Sequence, residues 1–332
     1  MADTPTLTLS QAEALVADAL VRADTAPGNA RHVARALVRA EADGLKGHGL
    51  SRVPSYAAQA RAGKVDGHAV PVLTRPRPAV AAIDAAHGFA YPALALALDA
   101  LPALARESGL AAAALRRSHH CGAAGLVVED LAAQGLVALL FANTPAAIAP
   151  WHGQRAVFGT NPIAFACPLP GREPIVVDLS LSKVARGNIV SAKQRGEPIP
   201  EGWAVDAQGR PTTDAAAALA GTMLPLGDAK GTALALMVEL LAAGLTGATF
   251  AADASSFLDD KGGPPGTGQL ILAFDPQAFG DGALDRFAML AAAIEDQPGA
   301  RLPGQRRLGL RRKAEQDGLT VDAKLLAEIA AI

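Results

Sequence analysis

The feature that most limits the fold is an alternation confined to the middle of the chain. From Val70 onward, short apolar, β-branched runs recur between Pro and Gly residues, at 72–74, 80–83, 110–115, 136–141, 175–177 and 270–274. Runs of this length bounded by turn formers predict strands. Helical periodicity fills the intervals, at about 91–107, 122–134, 182–195, 230–245 and 284–295, so the middle of the chain predicts a mixed α/β sheet domain. The first sixty residues read differently. Ser10 with Glu13 is a capping-box signature, and Ala12, Leu15, Val16, Ala19 and Leu20 follow at helical spacing. Two further helices are expected at about 30–42 and 50–62, the last ended by Gly63. The tail, 311–332, is helix-rich again and can return to pack on the first helices.

Composition narrows the classes of function. The chain has 332 residues, half of them apolar, and its net charge of −2 comes without a run of five like charges, so no nucleic-acid or acidic-membrane partner is expected. Two cysteines, Cys121 and Cys167, exclude a disulfide scaffold and a four-cysteine zinc site and point to the cytoplasm. The start, Met-Ala-Asp-Thr, lacks the pattern of a signal peptide. The longest charge-free stretch, 131–154, contains Gln134, Asn143, Pro145, Pro150 and His152, so no membrane span is expected.

Neither G-x-G-x-x-G nor G-x-x-x-x-G-K-[ST] occurs, which disfavours Rossmann and P-loop nucleotide sites. Neither G-x-S-x-G nor H-E-x-x-H occurs, which removes those hydrolase types. Several unusual strings remain. His48 lies between Gly47 and Gly49 at a break between helices, with Arg52 one helical turn on. Glycines leave the imidazole unshielded and an arginine can take a carboxylate bidentately, although a capping histidine and a surface arginine would read the same way. Arg116–Gly125 follows a strand and opens a helix, a place where free amides bind anions. Its adjacent His119, His120 and Cys121 are poorly spaced to converge on one ion, so no metal is expected. Phe158–Pro162 and Val177–Ser182 look like pocket-lining loops, in which Asp178 either orients an imidazole or caps a helix. Gly227–Gly231 and Arg301–Arg307 place cations beside glycines, and Gly262–Gly268 reads as a connection rather than a lid.

Taken together and in order, these strings carry a resemblance. G-H-G-x-x-R, S-H-H-C-G-A-A-G, A-P-W-x-G, F-G-T-N-P-I-A-F-A, V-D-L-S-x-S-x-V-A-R-G, G-E-P-I-P-E-G-W-A, G-x-P-T-T-D and R-L-P-G-Q-R-R resemble the type-2 malate/L-lactate dehydrogenase family from about Leu9 to Ile329. That family also holds sulfolactate, ureidoglycolate and diketogulonate oxidoreductases and the Δ1-piperideine-2-carboxylate/Δ1-pyrroline-2-carboxylate reductases. The resemblance implies a homodimer and a nicotinamide cofactor held by a non-Rossmann mixed-sheet domain, residues 71–304. A helical domain made of residues 1–70 and 305–332 would support it. His48 is then the proton donor, Arg52 holds the substrate carboxylate and Thr160 lies close to it. The matching cofactor positions are His120, Gly122, Ala123 and Ala124, then Asp178, Leu179 and Ser180, then Ala229 and Lys230, and finally Gly304, Arg306 and Arg307. One departure stands out. Family members commonly carry serine before the catalytic histidine, whereas Gly47 stands here, so His48 would depend on Asp178 or water for its orientation.

The chemistry is coherent on its own terms. Hydride transfer next to a carboxylate needs a cation for that carboxylate and an acid for the atom that gains charge. A cyclic ketimine arrives with its nitrogen protonated and asks less of the acid, which tolerates the missing serine. The expected function is therefore NAD(P)H-dependent reduction of Δ1-piperideine-2-carboxylate and Δ1-pyrroline-2-carboxylate to L-pipecolate and L-proline. Oxidation of a 2-hydroxy acid such as malate, lactate or sulfolactate is the alternative, and a cofactor-binding protein without turnover is a third reading. Arg306, Arg307, Arg311 and Arg312 favour NADPH through its 2′-phosphate, with NADH admitted.

Overall fold

The computed structural model describes residues 5–332; residues 1–4, on which the reading of the chain's start rests, lie outside the described part. The chain opens with strand β1 (Thr6–Leu7) and helix α1 (Leu9–Arg22). Thr8 caps α1, accepting from the Gln11 amide while the Gln11 side chain accepts from the Thr8 amide. The capping box is therefore Thr8 and Gln11 rather than Ser10 and Glu13, because β1 ends at Leu7 and the helix begins at once. Helix α2 (Pro27–Ala42) starts on a proline, which has no amide to lose there. Two single 3₁₀ turns, Lys46–His48 and Leu50–Arg52, lead into α3 (Val53–Arg61).

Next come β2 (Val72–Arg77), β3 (Val80–Asp84), α4 (Ala90–Ser108), β4 (Leu110–Ser118), α5 (Ala124–Ala132), β5 (Val137–Ala142), β6 (Ile163–Leu169) and β7 (Arg172–Leu179). After them run α6 (Arg186–Arg195), β8 (Ala204–Val205), β9 (Pro211–Thr212), α7 (Ala215–Ala220), β10 (Thr222–Met223) and α8 (Ala229–Glu239), which ends in a π-helical turn, Leu240–Gly244. The last elements are β11 (Thr267–Phe274), α9 (Ala283–Glu295), α10 (Gln305–Asp317), β12 (Leu319–Thr320) and α11 (Ala323–Ala330).

Seven strands form one sheet in the order β2-β3-β4-β11-β5-β6-β7. Only β3 and β4 pair in parallel, joined by α4, and every other pair is antiparallel. Both faces are covered, which is why the central strands read as near-continuous apolar runs. Ala111, Ala113, Leu115, Leu140, Ile271 and Ala273 point into a core shared with α1, α2, α4 and α5. Their alternate neighbours Leu139, Phe141, Leu270 and Leu272 point into a second core with α6, α7 and α8. Alanine dominates the α4–β4 contact and lets helix and sheet approach closely.

The tail returns to the start of the chain. Thr6 and Leu7 pair with Thr320 and Leu319, and α11 buries Ile329 in the core that holds α1 and α3. Strand β6 carries no β-branched run beyond Ile163 and contains Pro168, so periodicity did not reveal it. No helix among the described residues is long and apolar enough to cross a membrane.

Candidate active site

His48 is placed by a buried carboxylate. Glu41, near the end of α2, accepts from the Leu50 amide at 3.0 Å. A Cβ on Gly49 would fall 2.2 Å from the Glu41 carboxylate, so only glycine allows this turn. Arg52 bends back to donate from Nε to the Gly47 carbonyl at 2.6 Å. Its planar head is thus held beside the imidazole and makes no ion pair among the described residues.

The rings assemble around His120. His48 stacks on it with centroids 5.3 Å apart and planes at 24°. Phe257 lies 5.1 Å from His120 and from His119. Tyr56 hydrogen-bonds His120 Nδ1 at 2.6 Å and the Tyr91 hydroxyl at 3.2 Å. His119 Nε2 bonds the Gln59 side chain at 3.0 Å, and Gln59 also donates to the Phe257 carbonyl. Burial keeps these imidazoles neutral, with the positive charge of Arg52 acting in the same direction. His48 is pushed down to about 4, His119 to about 3, and His120 well below the ordinary histidine range. The same burial pushes the Tyr56 phenol up to about 12.

A second group of residues meets at the end of β7. The Gly125 amide donates to Asp178 Oδ2 at 2.8 Å. Gly304, the N-cap of α10 with φ +88°, would place a Cβ 3.2 Å from the Val176 carbonyl. The Leu181 amide donates to the Thr160 carbonyl and the Leu226 amide to the Leu181 carbonyl, both at 2.8 Å, which brings the turn before Ala229 and Lys230 alongside Ser180. Helices α8 and α10 begin here without a side-chain cap, whereas the first turn of α5 gives its Gly125 amide to Asp178. Uncapped amides and close-packed glycines suit the phosphates of a dinucleotide, so the residues present fit such a cofactor without the usual glycine fingerprint. The loop His120–Ala124 joins this cradle to the imidazole cluster.

Three of the expected site residues have other partners in the structure. Asp178 bonds Gly125 and makes no hydrogen bond to His48, whose Nδ1 is buried without a partner. Asp178 thus takes the helix-capping position at the start of α5. Thr160 is tied to Thr144 and Leu181 and makes no hydrogen bond to Arg52 among the described residues. Arg311 is fully engaged by Asp43 and Glu129, Arg307 lies in ion-pair contact with the same carboxylates but has a buried Nη2 without a hydrogen-bond partner, and Arg306 and Arg312 are the exposed cations of that run. Sequence reasoning missed Tyr56, Tyr91, Gln59 and Phe257. One signal was available, since the chain has only two tyrosines and both stand here.

The chain resembles known proteins over nearly its whole length. Residues 7–330 match the family model described as malate/L-lactate dehydrogenase. A (2R)-3-sulfolactate dehydrogenase (NADP(+)) of Chromohalobacter salexigens is 54% identical over 307 residues, covering 92% of each chain. A Δ1-pyrroline-2-carboxylate reductase of Ancylobacter novellus is 42% identical over 330 residues, covering 98% of this chain and 97% of its own. The crystal structure of Δ1-piperideine-2-carboxylate reductase from Pseudomonas syringae pv. tomato superposes with a TM-score of 0.94 at 38% identity, over 99% of both chains. Sequence and fold agree along nearly the whole length, and the chain belongs to the malate/L-lactate dehydrogenase family.

Proposed function

We propose that this protein is an oxidoreductase that reduces cyclic ketimine acids, Δ1-pyrroline-2-carboxylate and Δ1-piperideine-2-carboxylate, to L-proline and L-pipecolate. The observation that carries this reading is an uncharged His48 beside an unpaired Arg52. Arg52 receives the substrate carboxylate through charge-assisted hydrogen bonds. A protonated ketimine then presents an N–H that a neutral His48 can accept, and no imidazolium is required. A bound nicotinamide cofactor supplies the hydride. The wall of His120, Tyr56 and Phe257 excludes water from the reacting face.

A second reading is favoured by the 54% identity to the sulfolactate enzyme. Sulfopyruvate carries two anionic groups and a ketone, and would ask for a further cation near Arg52 and a charged acid. The test is cofactor oxidation by purified protein with each ketimine beside oxaloacetate, pyruvate and sulfopyruvate. Turnover confined to the imines is expected; turnover confined to the keto acids would transfer the protein to the hydroxy-acid dehydrogenases. Gly47→Ser belongs in the same experiment, because a Cβ at Gly47 meets nothing within 4 Å.

Arg306 supports a preference for NADPH over NADH, now on fewer cations than the sequence offered. The exposed apolar face of α8 supports a homodimer. Both cysteines are buried and unpaired, which suits a reducing compartment, and we place the protein in the cytoplasm.

A further inference from the structure

Behind the His120–Ala124 loop lies a second cavity, of about 650 Å³, between α2, α4 and α5. His32, Arg35, Asp99 and Asp130 line it along with apolar residues, so its surface can hold water. Its inner wall includes Tyr91 and Cys121, while His48, Arg52 and Asp178 take no part in it. Tyr91 is the outer member of the buried chain that passes through Tyr56 to His120 Nδ1. The Gly122 backbone closes on this chain, since a Cβ there would sit 2.6 Å from the Tyr91 hydroxyl. Resting on the ketimine reading, we propose that Tyr91 and Tyr56 form a proton conduit from this rear cavity to His120.

The step balances as follows. Hydride arrival converts the iminium into a neutral ring amine, which is far more basic than imidazole and leaves as ammonium. His120 gives its Nε2 proton to that amine nitrogen. As the N–H bond breaks, His120 Nδ1 takes the Tyr56 hydroxyl proton, Tyr56 takes the Tyr91 proton, and Tyr91 takes one from water in the cavity. The cavity water is left as hydroxide and takes a proton from bulk solvent, while the imidazole and both phenols stay uncharged throughout, which fits two phenols held above their ordinary range and an imidazole held below its own. The conduit requires Tyr56 to donate to Nδ1 across this 2.6 Å contact, which makes the resting His120 the Nε2–H tautomer. The route stays open when cofactor and substrate close the front of the site.

Two measurements test the conduit, one of them without substrate. ¹⁵N-histidine NMR of the free protein should show His120 as the Nε2–H tautomer, changing to a mixture in Tyr56→Phe. A resting Nδ1–H tautomer, or no change in the variant, would overturn the proposal whatever the substrate proves to be. Steady-state reduction of whichever acid the wild type turns over is the second. Tyr91→Phe and Tyr56→Phe should each lower kcat about tenfold or more, with KM values within twofold and a larger solvent isotope effect. Imidazole added as a buffer acid should restore Tyr91→Phe, because the cavity admits it. A kcat within twofold of wild type, or a loss that neither responds to buffer acid nor shows a solvent isotope effect, would leave the tyrosines a merely structural pair and sink the conduit. Absence of turnover by the wild type would count against the ketimine reading, and the NMR result would still decide the conduit.

Discussion

Arg52 and His48 answer to each other through charge. The guanidinium helps hold His48 at about 4, so a carboxylate docking on Arg52 removes that repulsion and adds a negative charge nearby. Arg52→Ala should therefore raise KM for the acid substrate ten- to a hundredfold, the range of a charge-assisted hydrogen bond of about 1.5–3 kcal/mol, and an unchanged KM would remove Arg52 from the site. His48→Ala should cost roughly 10²-fold in kcat, and a kcat equal to wild type would show that His48 does not hold the iminium N–H. The buried imidazoles also set a pH dependence of stability. His48 and His119 sit well below 6.5 in the folded protein, so the unfolded chain binds their protons first as pH falls. Stability is complete above about pH 6.5 and declines through pH 5 by about 1.4 kcal/mol per pH unit for each histidine. Urea midpoints at pH 7 and pH 5 should show this loss, and His119→Gln should show less of it. At this scale His48, Arg52 and His120 were legible because glycines and paired histidines mark them locally. Tyr56 and Phe257 were not, because only the fold brings positions about 200 residues apart against one ring.

Elements explain why the cradle exists without a glycine fingerprint. Helix α10 is fastened by Arg311, which bonds Asp43 at the end of α2 and Glu129 on α5, each through two nitrogen–oxygen contacts of 2.6–3.0 Å. Both carboxylates are almost wholly buried. Cutting one arm of such a network leaves a buried charge short of a partner, at a cost of about 3–5 kcal/mol. Arg311→Met should lower Tm by roughly 10 °C. Because α10 begins at Gly304 in the cradle, it should also raise KM for the cofactor more than KM for the acid. Equal changes in both would mean that α10 does not position the cradle. The six strands and the main helices read from periodicity lie within a few residues of their places. Strand β6 escaped because alanine and proline dilute its signal, and α5 starts at Ala124, after the loop that feeds the site. The arginine run looked like a phosphate site in one dimension, and packing shows half of it to be a clamp.

Among the described residues, helix α8 presents an apolar face without a partner. Along α8 and its π-helical end, Leu234, Leu236, Met237, Leu240 and Leu245 are between 39% and 68% exposed. The opposite side of the same helix buries Ala235, Val238, Glu239 and Ala242. A monomer rarely shows so many large apolar side chains on one helix, and such a face marks an interaction surface. An isologous contact lets a single face cover itself, which suits the homodimer expected from the sequence. The surface adjoins the cradle, since the first turn of α8 carries Ala229 and Lys230 beside Ser180. A homodimer would therefore brace the helix that begins at the cofactor's edge. Sedimentation equilibrium should give about twice the 33.7 kDa chain mass, and Leu240→Glu, which places a charge at the middle of the face, should give the monomer. Loss of the dimer should raise KM for the cofactor more than KM for the acid. A wild type that sediments as a monomer at micromolar concentration would refute the assembly, and α8 would then have to cover its leucines in another way.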